Sequence, residues 1–368
     1  MTVVAVLGGG SGATAAAAHL TLEDHDVRLY NRTPAKLERI RARGGITVKG
    51  GLLPESFVGL KVAGSLEDAI NGADIIMLCI PALGHEYYAS RLAPLVGPNQ
   101  VVFLNPGSTG GAFHFATVLK RYDGKTLPPI AESNTLTYTC RLTPDGDIAI
   151  YNIASHALLG VYPSSMVGKI RSLLLELYPN LIKCSSVLEA SLTNLNAVLH
   201  PPGMLLNAGW IEFTDGDFYY YVEGTTPAVA HIIEDVDRER LNLLDAFGLP
   251  KVSFLERFYR AGYTTKEACQ SGSVYNALKH SEANRHIKAP PCLKHRYLDE
   301  DVAFGLVPMK ELGELASVEM PVTDALTVLA SRVNGVDYRQ EGLTMQKMGF
   351  EKKMASLETI LKRAEKGE

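Results

Sequence analysis

Residues 3–20, VVAVLGGGSGATAAAAHL, run an apolar strand into a glycine turn and an alanine-rich helix, and the fold is decided there. Gly8, Gly10 and Ala13 fill the G-x-G-x-x-G/A pattern directly after the strand, with Ser11 and Gly12 inside it. Small residues at these points let the backbone approach a pyrophosphate, which the free N–H groups of a helix N-terminus attract. A dinucleotide site is expected. A second strand at Asp26–Tyr30 ends in Asn31-Arg32-Thr33, where an NAD site would place an acidic side chain on the ribose diol. Asn31 and Arg32 favour NADP instead, with Lys36 as a second cation and NAD as the alternative cofactor. Thr33 is placed to cap the next helix and Pro34 to open it.

Further strand-like runs at Asp74–Ile80 and Gln100–Leu104 are continuously apolar, as a buried parallel sheet requires. The pattern is doubly wound α/β. Runs at Gly146–Ile153 and Leu158–Val161 are read as extending that sheet, or as a hairpin or mixed edge. Ligands of open α/β sheets bind beyond the carboxyl ends of the strands, so three loops stand out: Pro81–His85, Asn105–Gly111 and Glu132–Thr135. Pro81 and Asn105 are the cofactor contacts expected from the first two. From Ser186 the apolar period becomes helical, over Ser186–Ala208, Ala228–Phe247, Thr265–Leu278, Met309–Leu315, Pro321–Val333 and Leu343–Lys362. The expected organisation is a dinucleotide-binding domain over 1–185 and an all-helical domain over 186–368.

A chain of 368 residues exceeds one usual core, in keeping with two domains. Its formal charge of -4 offers no electrostatic case for nucleic acid or an anionic membrane surface, which points to small metabolites as partners. The five cysteines lack C-x-x-C spacing, so neither a disulfide framework nor a zinc site is expected, and no compact ligand set suggests another metal. The first strand begins at residue 3, so no signal leader is expected, and no apolar run is long enough to span a bilayer. A cytoplasmic homodimer is the default expectation.

The chemistry is sought in Leu192–Gly203, LTNLNAVLHPPG. Thr193, Asn196 and His200 stand at i, i+3 and i+7 and make one polar stripe on an otherwise apolar helix, with Thr193 and Asn196 as substrate-binding candidates. Pro201 and Pro202 deny hydrogen bonds to the carbonyls of Ala197 and Val198 and are expected to kink or end the helix beside His200, at a cost of about 3 kcal/mol. His200 reads either as a histidine satisfied in the core or as an acid/base. Glu300 and Asp301, in the cluster His295–Val302, are the carboxylates that could orient it, and that cluster also reads as a solvated turn.

These segments carry a resemblance. The glycine loop, Asn105-Pro106-Gly107 with Gly110-Gly111, Thr139-Cys140-Arg141, Leu192–Pro201, Tyr221–Pro227 and Arg296–Pro308 resemble the octopine/nopaline-type opine dehydrogenases over nearly the whole chain. The resemblance implies a Rossmann domain followed by a helical opine dehydrogenase domain. It implies a catalytic histidine at His200, a paired aspartate at Asp301, an assisting asparagine at Asn196 and a substrate-handling arginine at Arg296. The implied reaction is reductive condensation of a 2-oxo acid with the amine of an L-amino acid. This chain departs from the resemblance at Asn31-Arg32, where an acidic residue is the pattern. Two other readings stay open: an NADP-dependent hydroxy acid dehydrogenase, and a protein that senses NADPH without turnover.

Overall fold

Among the described residues every strand lies in the first half of the chain. In the computed structural model, which describes residues 1–123, 127–351 and 355–367, they are β1 (Val3–Leu7), β2 (Asp26–Tyr30), β3 (Gly45–Gly51), β4 (Ser56–Gly59), β5 (Lys61–Val62), β6 (Ile75–Leu78), β7 (Val101–Leu104), β8 (Ile130–Ser133), β9 (Tyr138–Leu142), β10 (Ile148–Ile153), β11 (Leu158–Tyr162) and β12 (Ile182–Lys183). The larger sheet has the order β12-β11-β8-β7-β6-β1-β2-β5. From β5 to β8 every pairing is parallel, and this portion repeats the doubly wound order 3-2-1-4-5-6. β6 and β7 are buried at every residue, which is why they are apolar without alternation. β11 then adds antiparallel to β8.

The run Gly146–Ile153 does not extend this sheet. As β10 it joins a second, four-stranded sheet of order β4-β3-β10-β9, pairing in parallel with β3 and antiparallel with β9.

The chain divides into two compact units. One comprises Met1–Gly107, Gly111–Ser191 and Ala364–Glu368, and the other Ser108–Gly110 and Leu192–Arg363. The first is a Rossmann-type unit and the second is helical. The division falls after Ser191. Gly160 on β11 lets Ser186–Ala190 approach so closely that an added Cβ would stand 2.6 Å from the Val187 Cα, and the Ser191 hydroxyl donates to Glu132 at 2.7 Å. Both contacts belong to the first unit.

The single helix expected over Ser186–Ala208 is broken. Helices run over Val187–Leu192 and Asn196–Leu206, and between them the Asn194 side chain accepts the Asn196 N–H at 3.0 Å. Such local side-chain bonding offers the backbone an alternative to continuing the helix. Thr193 therefore does not share a helix with His200. Pro201 and Pro202, by contrast, do not end the second helix, which continues to Leu206 with both prolines inside it. The expected helix Thr265–Leu278 is two short ones, Lys266–Gln270 and Val274–Lys279. The expected helix Leu343–Lys362 crosses 352–354, which lie outside the described residues, and a helix begins only at Leu357.

Candidate active site

In the Rossmann-type unit the glycine turn lies at the carboxyl end of β1. Gly8 has φ +147°, and a Cβ there would stand 2.6 Å from the Cys79 carbonyl oxygen and 2.8 Å from the Ala13 Cβ, so glycine is needed to bring β1, β6 and the helix together. Gly10 caps the helix Ser11–Leu22 with no side-chain hydrogen bond, and a Cβ on it would meet nothing within 4 Å. The helix N-terminus is thus free of side-chain caps, as a pyrophosphate cradle requires. Gly12 packs on Leu136, Ala13 is buried, and the Ser11 hydroxyl accepts the Leu142 N–H at 3.0 Å.

At the end of β2, Asn31 is buried and donates to the Thr33 carbonyl at 3.0 Å. Arg32 is exposed, its N–H donates to the Tyr88 hydroxyl at 3.1 Å, and its guanidinium lies over the Tyr87 ring at 4.9 Å. Lys36 is exposed, with its Cβ beside Gly9, and Pro81 is exposed after β6. Thr33 makes no side-chain cap, and the turn it precedes, Pro34–Leu37, is 3-10 rather than α.

Asn105 directly follows β7. It is fully buried, and its amide is spent within the fold: Nδ2 donates to Thr137 Oγ1 at 2.8 Å, and Oδ1 accepts from Thr137 N at 3.0 Å and Ser133 Oγ at 3.2 Å. These bonds fix the carboxyl end of β7 against the segment after β8, so the side chain shapes the loop.

Glu132, at the end of β8, is also fully buried, and it accepts from the Ala112 N–H at 3.0 Å and from Ser191. Burial pushes its carboxyl up to about 8, against the opposing pull of those two hydrogen bonds. An unfolded glutamate ionises near 4.5, so above that value the folded chain holds a proton that the unfolded chain has lost. The group's contribution is therefore complete below 4.5 and is lost as pH rises to about 8. Glu132→Gln mimics the protonated acid and does not ionise. Its melting temperature should gain on that of the parent by several degrees between about pH 5 and about pH 9. A difference that stays flat across that range in a thermal-shift series would contradict this ionisation.

In the helical unit, the helix Asn196–Leu206 carries His200, whose Nδ1 lies 2.7 Å from Asp301 Oδ2, with both residues buried. Asp301 directly precedes a π turn, Val302–Leu306, that leads into the helix Val307–Ala316. The reason is local. Pro308 has no N–H to offer the Phe304 carbonyl, which accepts instead from Thr109 N at 3.1 Å. Gly305 in this turn faces the Ala197 Cβ, and a Cβ on it would come within 2.4 Å. Glycine at that point lets the His200 helix and the Asp301 turn pack at hydrogen-bonding distance.

Three tyrosines complete the surroundings. Tyr221 OH lies 3.0 Å from His200 Nε2, Tyr220 OH donates to the His200 carbonyl at 2.8 Å, and the Tyr297 ring stacks on the imidazole with centroids 3.7 Å apart. Burial drives the phenols of Tyr220 and Tyr221 well above their ordinary range, so both keep their protons. With Asp301 accepting at Nδ1, the neutral ring carries its proton there, and Nε2 accepts from Tyr221.

The remaining candidates divide. Asn196 opens the His200 helix and is half-buried. Arg296 is exposed and its Nε pairs with Glu300 at 3.0 Å. Thr193 is fully buried and lies in the break before the helix.

This arrangement has relatives. The model of the NAD/NADP octopine/nopaline dehydrogenase alpha-helical domain matches residues 183–334, and that of the ketopantoate reductase PanE/ApbA matches residues 4–111. The opine dehydrogenase of Arthrobacter sp. (strain 1C) is 35% identical over 347 residues, covering 94% of each chain. The chain belongs to the opine dehydrogenase family. It is an NAD(P)-dependent oxidoreductase acting on CH–NH donors. Two solved structures share its fold: octopine dehydrogenase with NADH and L-arginine (21% identity, TM-score 0.77, 98% of each chain) and yersinopine dehydrogenase with NADP+ (17% identity, TM-score 0.71, 99% of this chain and 98% of that one).

Among the described residues of this opine dehydrogenase family member, no His, Cys, Asp and Glu side chains cluster so as to hold a metal, and no helix is long and apolar enough to cross a membrane. Tyr221 and Tyr297 were the residues hardest to place from sequence. The signal for them was the aromatic run Phe218–Tyr221 and the position of Tyr297 beside Arg296, each equally readable as core.

Proposed function

We propose that this chain reductively condenses the amine of an L-amino acid with a 2-oxo acid such as pyruvate, drawing on NADPH. The observation that carries the reading is the buried His200–Asp301 pair in the helical unit of a family member. Octopine dehydrogenase has also been solved with NADH and pyruvate, which supports a short 2-oxo acid as one partner. NADP over NAD rests on Arg32 and on the lack of an acidic residue at the end of β2. Free cysteines suit a reducing cytoplasm, and a homodimer completes the reading.

Gly8, Gly10 and the first turn of Ser11–Leu22 would hold the pyrophosphate, and Arg32 with Lys36 the 2′-phosphate. When bound, the dihydronicotinamide supplies hydride to the former carbonyl carbon. Forming the protonated imine moves two of the ammonium's three protons onto the carbonyl oxygen, which leaves as water, and one of them passes from nitrogen to oxygen within the carbinolamine. His200 carries the other at Nε2, taking it from the ammonium and giving it to the departing hydroxyl. Asp301 holds the tautomer that leaves Nε2 basic, and balances the charge when the ring is doubly protonated. Tyr221 occupies Nε2 in the resting arrangement, and its hydroxyl lies 3.4 Å from that of Tyr297, so the pair can pass a proton outward. Arg296, held at Nε by Glu300, keeps the Nη edge of its fork for a substrate carboxylate. Asn196, one turn before His200, positions a substrate oxygen.

The test is oxidation of NADPH and of NADH with pyruvate, with and without a pooled set of L-amino acids. Turnover that needs both oxo acid and amine, and prefers NADPH, is expected. Turnover with the oxo acid alone would move the assignment to a hydroxy acid dehydrogenase.

A further inference from the structure

Arg32 is not alone at the end of β2. The helix His85–Leu92 places Tyr87 and Arg91 at i and i+4 on one face, and the Arg91 guanidinium lies 5.9 Å from the centroid of the same Tyr87 ring that carries Arg32 at 4.9 Å. The neighbouring residue on that helix, Tyr88, takes the Arg32 N–H. Two cations from different elements therefore converge on one aromatic ring. Several other arginines of the same unit are paired: Arg28 with Asp26, Arg43 with Asp147 and Arg121 with Glu86. Among the described residues neither Arg32 nor Arg91 has a carboxylate partner. Like charges gathered around one ring repel, and a dianion between them would relieve that repulsion.

We propose that Tyr87 and Arg91 determine cofactor specificity, Tyr87 as the platform that aims Arg32 and Arg91 as the second guanidinium on the 2′-phosphate of NADP. This rests on the NADP reading above and adds two residues to it. Tyr30, the last residue of β2, places the cluster: its phenol is raised by burial and then by Tyr87 and Glu67, with Arg91 opposing, so helix and strand end face each other here. Lys36, by contrast, stands beside Gly9, next to the glycine loop. The ring matters for a mechanical reason. An exposed arginine samples many rotamers, and laying it on an aromatic face removes much of that freedom before the ligand arrives.

The test uses 2′,5′-ADP and 5′-AMP as probes in calorimetric titrations of the full chain, so that no turnover is needed. The parent should prefer 2′,5′-ADP. Arg91→Gln should weaken 2′,5′-ADP about tenfold and leave 5′-AMP unchanged. Tyr87→Leu should weaken it severalfold, while Tyr87→Phe, which keeps the ring, should bind like the parent. If the parent prefers 2′,5′-ADP but Arg91→Gln and Tyr87→Leu both bind it within about twofold of the parent, Arg32 acts without them and this proposal is overturned. A parent with no preference for 2′,5′-ADP overturns the NADP reading and this proposal together.

Discussion

His200→Asn should lower kcat about a thousandfold while leaving NADPH binding unchanged, the loss expected when a positioned acid/base is removed. Asparagine is chosen over alanine for a structural reason. The Asp301 carboxylate is buried, and removing its only imidazole partner outright would strand it, confusing lost chemistry with lost stability. An asparagine amide can still donate toward Asp301 but offers nothing at the Nε2 position. Asp301→Asn is the complementary change. Its amide would favour the tautomer with Nδ1 unprotonated and Nε2 protonated, so kcat should fall by a similar order although the imidazole remains. Tyr221→Phe leaves the pair intact and removes only the hydroxyl at Nε2, so its effect should be smaller, roughly tenfold. Stopped-flow turnover and NADPH fluorescence titration measure the two halves separately. A His200→Asn enzyme that turns over within about tenfold of the parent would remove His200 from the chemistry.

The parts of this arrangement that were legible in the sequence are those written in local pattern. β2 matches its expected range, because buried Val27 and Leu29 alternate with half-buried Asp26, Arg28 and Tyr30. β3 and β4 were not legible. Gly45–Gly51 is rich in glycine, and it is a strand because β10, about a hundred residues on, pairs with it. The same distinction runs through the site. The polar stripe drew attention to His200, but spacing left Glu300 and Asp301 open as its partner, and the resemblance alone chose Asp301. Adjacent residues point about 100° apart on a helix, so one reaches His200 while the other pairs with Arg296. Asn105 and Thr193 lie beyond what local pattern shows. Both are polar residues where a ligand contact was expected, and both spend their side chains inside the fold, a fate set by neighbours such as Thr137 that no periodicity announces.

Arg240 has the largest expected effect on stability, although it is remote in sequence from His200. It is the largest fully buried side chain, on the helix Pro227–Ala246, and each guanidinium nitrogen is occupied: Nε and Nη2 by Asp237 Oδ1 at 2.9 and 2.6 Å, Nη1 by the Leu192 carbonyl at 3.1 Å, and Nη2 also by the Val252 carbonyl at 2.8 Å. The Leu192 carbonyl closes the helix just before the break that leads to His200, so this residue ties the helical unit's scaffold to the entry of the His200 helix. Arg240→Met should cost about 3–5 kcal/mol, because Asp237 is left as a buried charge facing a thioether. Adding Asp237→Leu should recover part of that loss and not all of it. The charge is gone, but the Leu192 and Val252 carbonyls and the Phe254 N–H, which donates to Asp237 at 2.8 Å, stay without partners. The chain's single tryptophan, Trp210, lies in the helical unit stacked on Phe218, so its fluorescence in urea reports the unit that contains the substitution. A loss below about 1 kcal/mol for Arg240→Met would mean that water reaches Asp237 on opening, and that the break before His200 is held by the Asn194 turn without help from Arg240.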